Sequence, residues 1–290
     1  MIAAFVLFLR EGLEASLIVS LLLAALRQLG LKHQARAVWI GVGLAVLGSL
    51  LGGVALYVTI REYVGSTFQT IFETLTYLTA VVLLTTMTFW MQNHSRSMKK
   101  EFVAKASAAS SGLTLGLLAF TTVGREGLES AVFTLAFAFQ TNAMLLLLGA
   151  SLGLLASMVL CVLIYRLGYR LDYRVFFRVM GIVLLFFAAG LLGNVVQNMQ
   201  ELGWISFGTI PLWNTAHILS ENSTLGDILH SFLGYAEAPT VLQSLLYSVY
   251  LLTAGTLFFR MTRKPEKLNT GQSTPPTTPT TTHGTVTNRA

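Results

Sequence analysis

The chain has 290 residues, 54% of them hydrophobic and 11% charged, and its mean hydropathy is +0.67. A soluble globular domain carries about 25% charged residues, so that class is excluded. The single cysteine, Cys161, lies in an apolar run, which excludes disulfides and thiolate metal centres within the chain.

Apolar runs of about 20 residues recur along the chain, the signature of a polytopic helical membrane protein. In lipid every backbone N–H and C=O must be paired, and helices do this within one segment. A barrel would show alternating segments of about ten residues, and these runs do not alternate. The pattern predicts an all-α protein with seven spans, at roughly 2–28, 37–58, 69–91, 113–139, 143–165, 175–196 and 239–259. No basic region precedes the first, and it contains Arg10, Glu11 and Glu14. A span from Met1 onward is therefore expected rather than a cleaved signal peptide.

All but three of the 19 Lys and Arg fall on one side of these spans. Arg27, Lys32 and Arg36 follow the first span. Arg96, Lys99, Lys100 and Lys105 follow the third, and Arg166, Arg170, Arg174 and Arg178 the fifth. Arg260, Arg263, Lys264, Lys267 and Arg289 follow the seventh; Arg61 alone falls in the opposite loops. The positive-inside rule puts the N-terminus outside and the C-terminus in the cytoplasm. The net charge of +6 thus reflects membrane orientation, and no nucleic-acid partner is expected.

The outer loops carry Glu62, Glu201, Glu221, Asp227 and Glu237, with Glu73 at the outer end of the third span. Clustered carboxylates raise the local cation concentration, although a solvated acidic rim reads equally well. The outer segment 197–237 holds Trp204, Trp213, His217 and His230 among apolar residues, which points to short interfacial helices. Residues 261–290 are rich in Thr and Pro and are expected to form a disordered cytoplasmic tail.

Five residues occur twice, Arg10-Glu11-Gly12-Leu13-Glu14 in the first span and Arg125-Glu126-Gly127-Leu128-Glu129 in the fourth. These spans run in opposite directions, so the pattern predicts inverted repeats. Repeat one covers 1–105 and repeat two 106–196; the outer segment and a seventh helix at 238–260 complete a permease domain of residues 1–260. Such repeats place a substrate site near the midplane, between the halves. Glu11 and Glu14 are three residues apart and share a helix face, and Arg10 is placed to pair with Glu14; the second copy repeats this. Gly12 and Gly127 remove a side chain between the acids and allow close approach.

Six unpaired charges at the bilayer centre would cost on the order of 15–20 kcal/mol at about 2.5–3.5 kcal/mol each. A helix lock would need one Glu for each Arg, yet two are present. The excess of two negative charges favours a cation site over a packing role. With the five histidines in loops or the tail, the ligands are carboxylates, suited to Mg²⁺, Ca²⁺, Mn²⁺ or Fe³⁺. The spacing is Glu-x-x-Glu, not the Glu-x-x-His of bundle di-iron oxidases. Ion capture without catalysis follows, and no permanently bound cofactor is expected.

At these residues the sequence resembles the oxidase-dependent high-affinity iron permeases, and most closely their bacterial ferrous-iron-uptake (EfeU-type) branch. Both copies match the family's Arg-Glu-x-x-Glu motif. The likeness extends to Phe72-Glu73, Phe89-Trp90-Met91, Ala188-Ala189-Gly190-Leu191 and Leu233-Gly234-Tyr235. The resemblance implies iron as substrate, oxidised from Fe²⁺ by a partner outside the membrane and moved inward as Fe³⁺ across the bacterial inner membrane. It also implies that Glu11, Glu14, Glu126 and Glu129 are the iron ligands, and that Glu73 is an outer hand-over ligand. Arg10 and Arg125 would balance the empty site. Any oxidase is expected to be a separate protein. A lead-uptake branch is similar, so Pb²⁺, Mn²⁺ or cation–proton exchange stand as the alternatives. Met87 and Met91 are read as packing residues.

Overall fold

The computed structural model describes residues 1–28, 30–61, 65–94, 104, 111–167, 173–215, 217–220 and 223–263. The tail beyond Arg263, Glu62, Glu221 and the basic residues Arg96, Lys99, Lys100, Lys105 and Arg170 lie outside the described residues. Among the described residues the chain is all-helical. Seven long helices fall on the seven apolar stretches: α1 (Ile2–Gln28), α2 (Ala35–Arg61), α3 (Thr67–His94), α4 (Gly112–Ala138), α5 (Ala143–Leu167), α6 (Tyr173–Glu201) and, after the short α7 (Thr224–Leu233), α8 (Val241–Arg263).

Among the described residues, five helices are long and apolar enough to cross a membrane: Ala35–Val58, Thr67–Gln92, Ala143–Leu163, Arg178–Glu201 and Val241–Thr262. The other two long helices, α1 and α4, have 27 residues each, about 40 Å of rise. They differ in carrying the two motifs, three charges apiece. Apolar surface faces outward, with Ile40, Leu47, Leu50 and Leu51 of α2 and Leu147, Leu155, Met158 and Val159 of α5 all exposed. This suits a chain bathed in lipid, where apolar exposure carries no penalty.

The helices pair across the middle of the sequence. α1 lies along α5, α2 along α4 and α3 along α6, whereas α1 and α2 barely touch. Glycine makes the first two pairings close. A Cβ on Gly12 would overlap Ser157 Oγ and lie 2.8 Å from Ser157 Cβ; one on Gly127 would overlap Ser49 Oγ and lie 2.8 Å from Ser49 Cβ. Between two and three turns earlier, Gly149 abuts the carbonyl of Met1 and Gly41 that of Gly116. Each contact in α1·α5 thus has a counterpart in α4·α2, 115 residues on for α1 and 108 for α2. Small residues at such points let backbones approach and gain dispersion contacts, the main attraction available between helices in lipid.

The core is built where four helices meet. Ala3, Ala4 and Leu7 of α1 pack with Tyr77, Ala80 and Leu84 of α3, Phe133, Ala136 and Phe137 of α4, and Leu184, Phe187 and Leu191 of α6. Phe137 meets Phe187 edge-on at 6.0 Å and Tyr77 meets Phe139 likewise at 6.1 Å, geometries the ring quadrupole favours. Because the start of α1 packs on the end of α4, and Ile18 and Leu22 pack on Leu115 and Ala119, the two motif helices run antiparallel.

The segment after α6 folds back over the helix ends. α7 starts at Ser223, whose hydroxyl accepts the Gly226 N–H at 3.0 Å, and stops at Gly234 with φ 69°. Gly234 sits against Gly190 of α6, 2.8 Å from where a Gly190 Cβ would be. Tyr235 donates to the Leu219 carbonyl at 2.8 Å. These bonds hold α7 against α6 and α1.

Candidate ion-transport site

Helical spacing sets Glu11 and Glu14 on one face of α1, and Glu126 and Glu129 on one face of α4. The two motif helices touch along their length, and all four carboxylates are buried.

Arg10 is 2% exposed and serves both acids of its own motif, with Nη1 donating to Glu11 Oε1 at 2.9 Å and Nε 2.9 Å from Glu14 Oε1. The spacing argument anticipated the Glu14 contact; the Glu11 bond is added by the structure. Arg125 Nε donates to Glu129 Oε1 at 2.9 Å, and its side chain is 52% exposed. Its guanidinium lies 5.4 Å from the Trp90 ring centroid, a cation–π contact. The motifs are the same in sequence and differ in burial.

Two arginines cannot satisfy four carboxylates. Glu11 Oε2, Glu14 Oε1, Glu126 Oε2 and Glu129 Oε2 are each buried without a hydrogen-bond partner, Glu14 Oε1 having Arg10 near but misaligned. Glu11, Glu126 and Glu129 thus each present one free oxygen, while Glu14 Oε1 is held by Arg10 at 2.9 Å, and oxygen donors of this kind suit hard cations. Among the described residues, no group of three or more acidic, histidine or cysteine side chains is arranged to hold a metal ion. Arg10 is bonded to two of the four acids, so an ion gathering them all would displace it.

Glu73 of α3 is half-buried and stands apart. Its Oε1 accepts the Tyr77 hydroxyl at 2.6 Å. Met91, where α3 meets Arg10, lies 18 residues further on, about 27 Å along the helix. One step does not connect Glu73 to the motifs.

Several neighbours of the site carry no mark in the sequence. Ser49 and Ser157 fill the gaps opposite Gly127 and Gly12; small residues in an apolar span were the available signal. Tyr77 is four residues from Glu73, a spacing that foretells contact. Met91, read from sequence as packing, holds its sulfur 3.8 Å from Arg10 Nη2, and no pattern announces that.

The chain matches the iron permease FTR1 family over residues 1–263. It is 36% identical over 265 residues to "Ferrous iron permease EfeU" of Yersinia pestis, covering 89% of this chain and 93% of that one. A protein of that name from Yersinia pseudotuberculosis is 37% identical over 261 residues, 88% and 91% of the two chains. Another from Escherichia coli O157:H7 is 36% identical over 264 residues, 89% and 95%. No solved structure matches the chain. With the match running through every long helix and both charge motifs, the chain belongs to the FTR1 family of iron permeases, and is a membrane transporter rather than an enzyme.

Proposed function

We propose that the protein takes iron into the cytoplasm across a bacterial plasma membrane, through a midplane site of Glu11, Glu14, Glu126 and Glu129. The observation that carries this reading is the set of four buried carboxylates on antiparallel helices, three of them with an oxygen left without a partner, facing only two arginines. Intramembrane charges are costly and persist where they serve a site. Arg10 and Arg125 hold the empty site near balance and yield when the ion arrives.

The matched contacts of α1·α5 and α4·α2 support an inverted repeat, and the one-sided Lys and Arg of the loops support seven spans with the N-terminus outside and the C-terminus in the cytoplasm. Iron would arrive as Fe³⁺ from an oxidising or iron-binding partner outside, and Glu73 with Tyr77 would take it first. The distance along α3 then requires further stops before the motifs. The test is radio-iron uptake in cells lacking other iron importers, with Glu14→Gln and Glu129→Gln combined. Uptake is expected to fall to background; a folded double variant transporting at the normal rate would overturn the assignment. Competition by Pb²⁺ and Mn²⁺, with and without an oxidant, decides which ion the carboxylates select.

A further inference from the structure

Along α3, Thr74, Thr76, Thr79, Thr85 and Thr86 each turn the hydroxyl onto the carbonyl four residues earlier, at 2.6–2.8 Å. This is a usual resting place for a threonine in an apolar helix. Thr88, 3% exposed, departs from it: its Oγ1 is buried without a partner. It lines a small cavity with Arg10, Met91, Gln92, Gly181 and Leu184, with room for about one water molecule. Glycine at 181 is part of the construction. A Cβ there would lie 2.7 Å from a Phe258 ring carbon and 3.1 Å from Thr88 Cγ2.

Arg10 already aims at this space. Its Nη2 meets only the Met91 sulfur, at 3.8 Å, and a thioether is a weak acceptor. A guanidinium released from Glu11 and Glu14 would be a buried cation without acceptors, a costly state, unless one stood within a short side-chain movement. Thr88 Oγ1 is such an acceptor, and Gln92 lines the same cavity.

We propose that this cavity receives the Arg10 guanidinium when a cation takes its place on Glu11 and Glu14, and that Thr88 is the positioning residue that accepts it. The movement is about 3 Å, one water diameter. The proposal rests on the motif glutamates being the cation site. Arg125, already half-exposed under Trp90, can leave Glu129 toward the open side.

The experiment is equilibrium binding of radio-iron to the purified full-length protein in detergent. Thr88→Val is expected to weaken binding about tenfold, roughly one hydrogen bond, while Thr88→Ser binds as the wild type does. In an Arg10→Gln background Thr88→Val should change nothing further, because no guanidinium needs a receptor. Wild-type affinity in Thr88→Val, or the same loss with and without Arg10, overturns the proposal. If Thr88→Val is not monodisperse, Thr88→Ala serves the same comparison. Glu14→Gln combined with Glu129→Gln tests the underlying site separately. Wild-type binding there refutes that reading and this proposal together, whereas loss of binding there with an inert Thr88→Val refutes this proposal alone.

Discussion

Arg10→Gln and Arg125→Gln make the same chemical change in identical motifs, yet the structure predicts unequal costs. Arg10 is 2% exposed and lies 2.9 Å from both Glu11 and Glu14. Removing one partner of a buried ion pair costs about 3–5 kcal/mol, because the remaining charge is left uncompensated. Arg125 is 52% exposed and pairs with Glu129 alone. An exposed pair is worth about 0–1 kcal/mol, and the Trp90 contact adds about 0.5–1 kcal/mol. The difference comes to about 1–4 kcal/mol. Heating the purified variants in detergent and following the monodisperse fraction reads it directly: Arg10→Gln should lose its folded state at a clearly lower temperature. Equal losses, or a larger one for Arg125→Gln, would refute the link drawn here between burial and cost.

Gly12→Ala should destabilise by about 1–3 kcal/mol through overpacking on Ser157, and Ser157→Gly should restore thermal stability; Gly127→Ala with Ser49→Gly should behave alike. A rescue that works in neither pair would show that these contacts do not set helix spacing. Tyr77→Phe removes the hydrogen bond to Glu73, worth about 1 kcal/mol, and Glu73→Gln removes the charge. Both should raise the iron concentration for half-maximal uptake more than they lower the maximal rate. A loss confined to the maximal rate would remove Glu73 from the outer path.

The long helices were legible because lipid imposes a simple pattern, and the two charge motifs stood out against it. Their spacing was enough to put Glu11 with Glu14 and Glu126 with Glu129, and to pair Arg125 with Glu129. Spacing within one helix says nothing of neighbours far along the chain. Ser157 opposite Gly12 and Met91 beside Arg10 arise from packing between helices. Nor could identical motifs reveal their unequal burial, which depends on what α3 and α6 cover. Thr88 shows the same limit: its type is ordinary in α3, and only an unanswered hydroxyl distinguishes it.

The crossed pairing, α1 with α5 and α2 with α4, bears on how the protein is made. During synthesis α1 reaches the bilayer more than 100 residues before α4 and α5 exist. Arg10 can neutralise part of Glu11 and Glu14 within its own helix, but the face bearing Gly12 has no Ser157 to meet until the fifth helix is inserted. The first three helices are therefore not a finished half waiting for its twin. Of these, α1 and α2 have their close partners, α5 and α4, later in the chain. A ribosome stalled after α3 would leave a fragment for membrane quality control to remove, while the two halves expressed as separate chains could still assemble with each other.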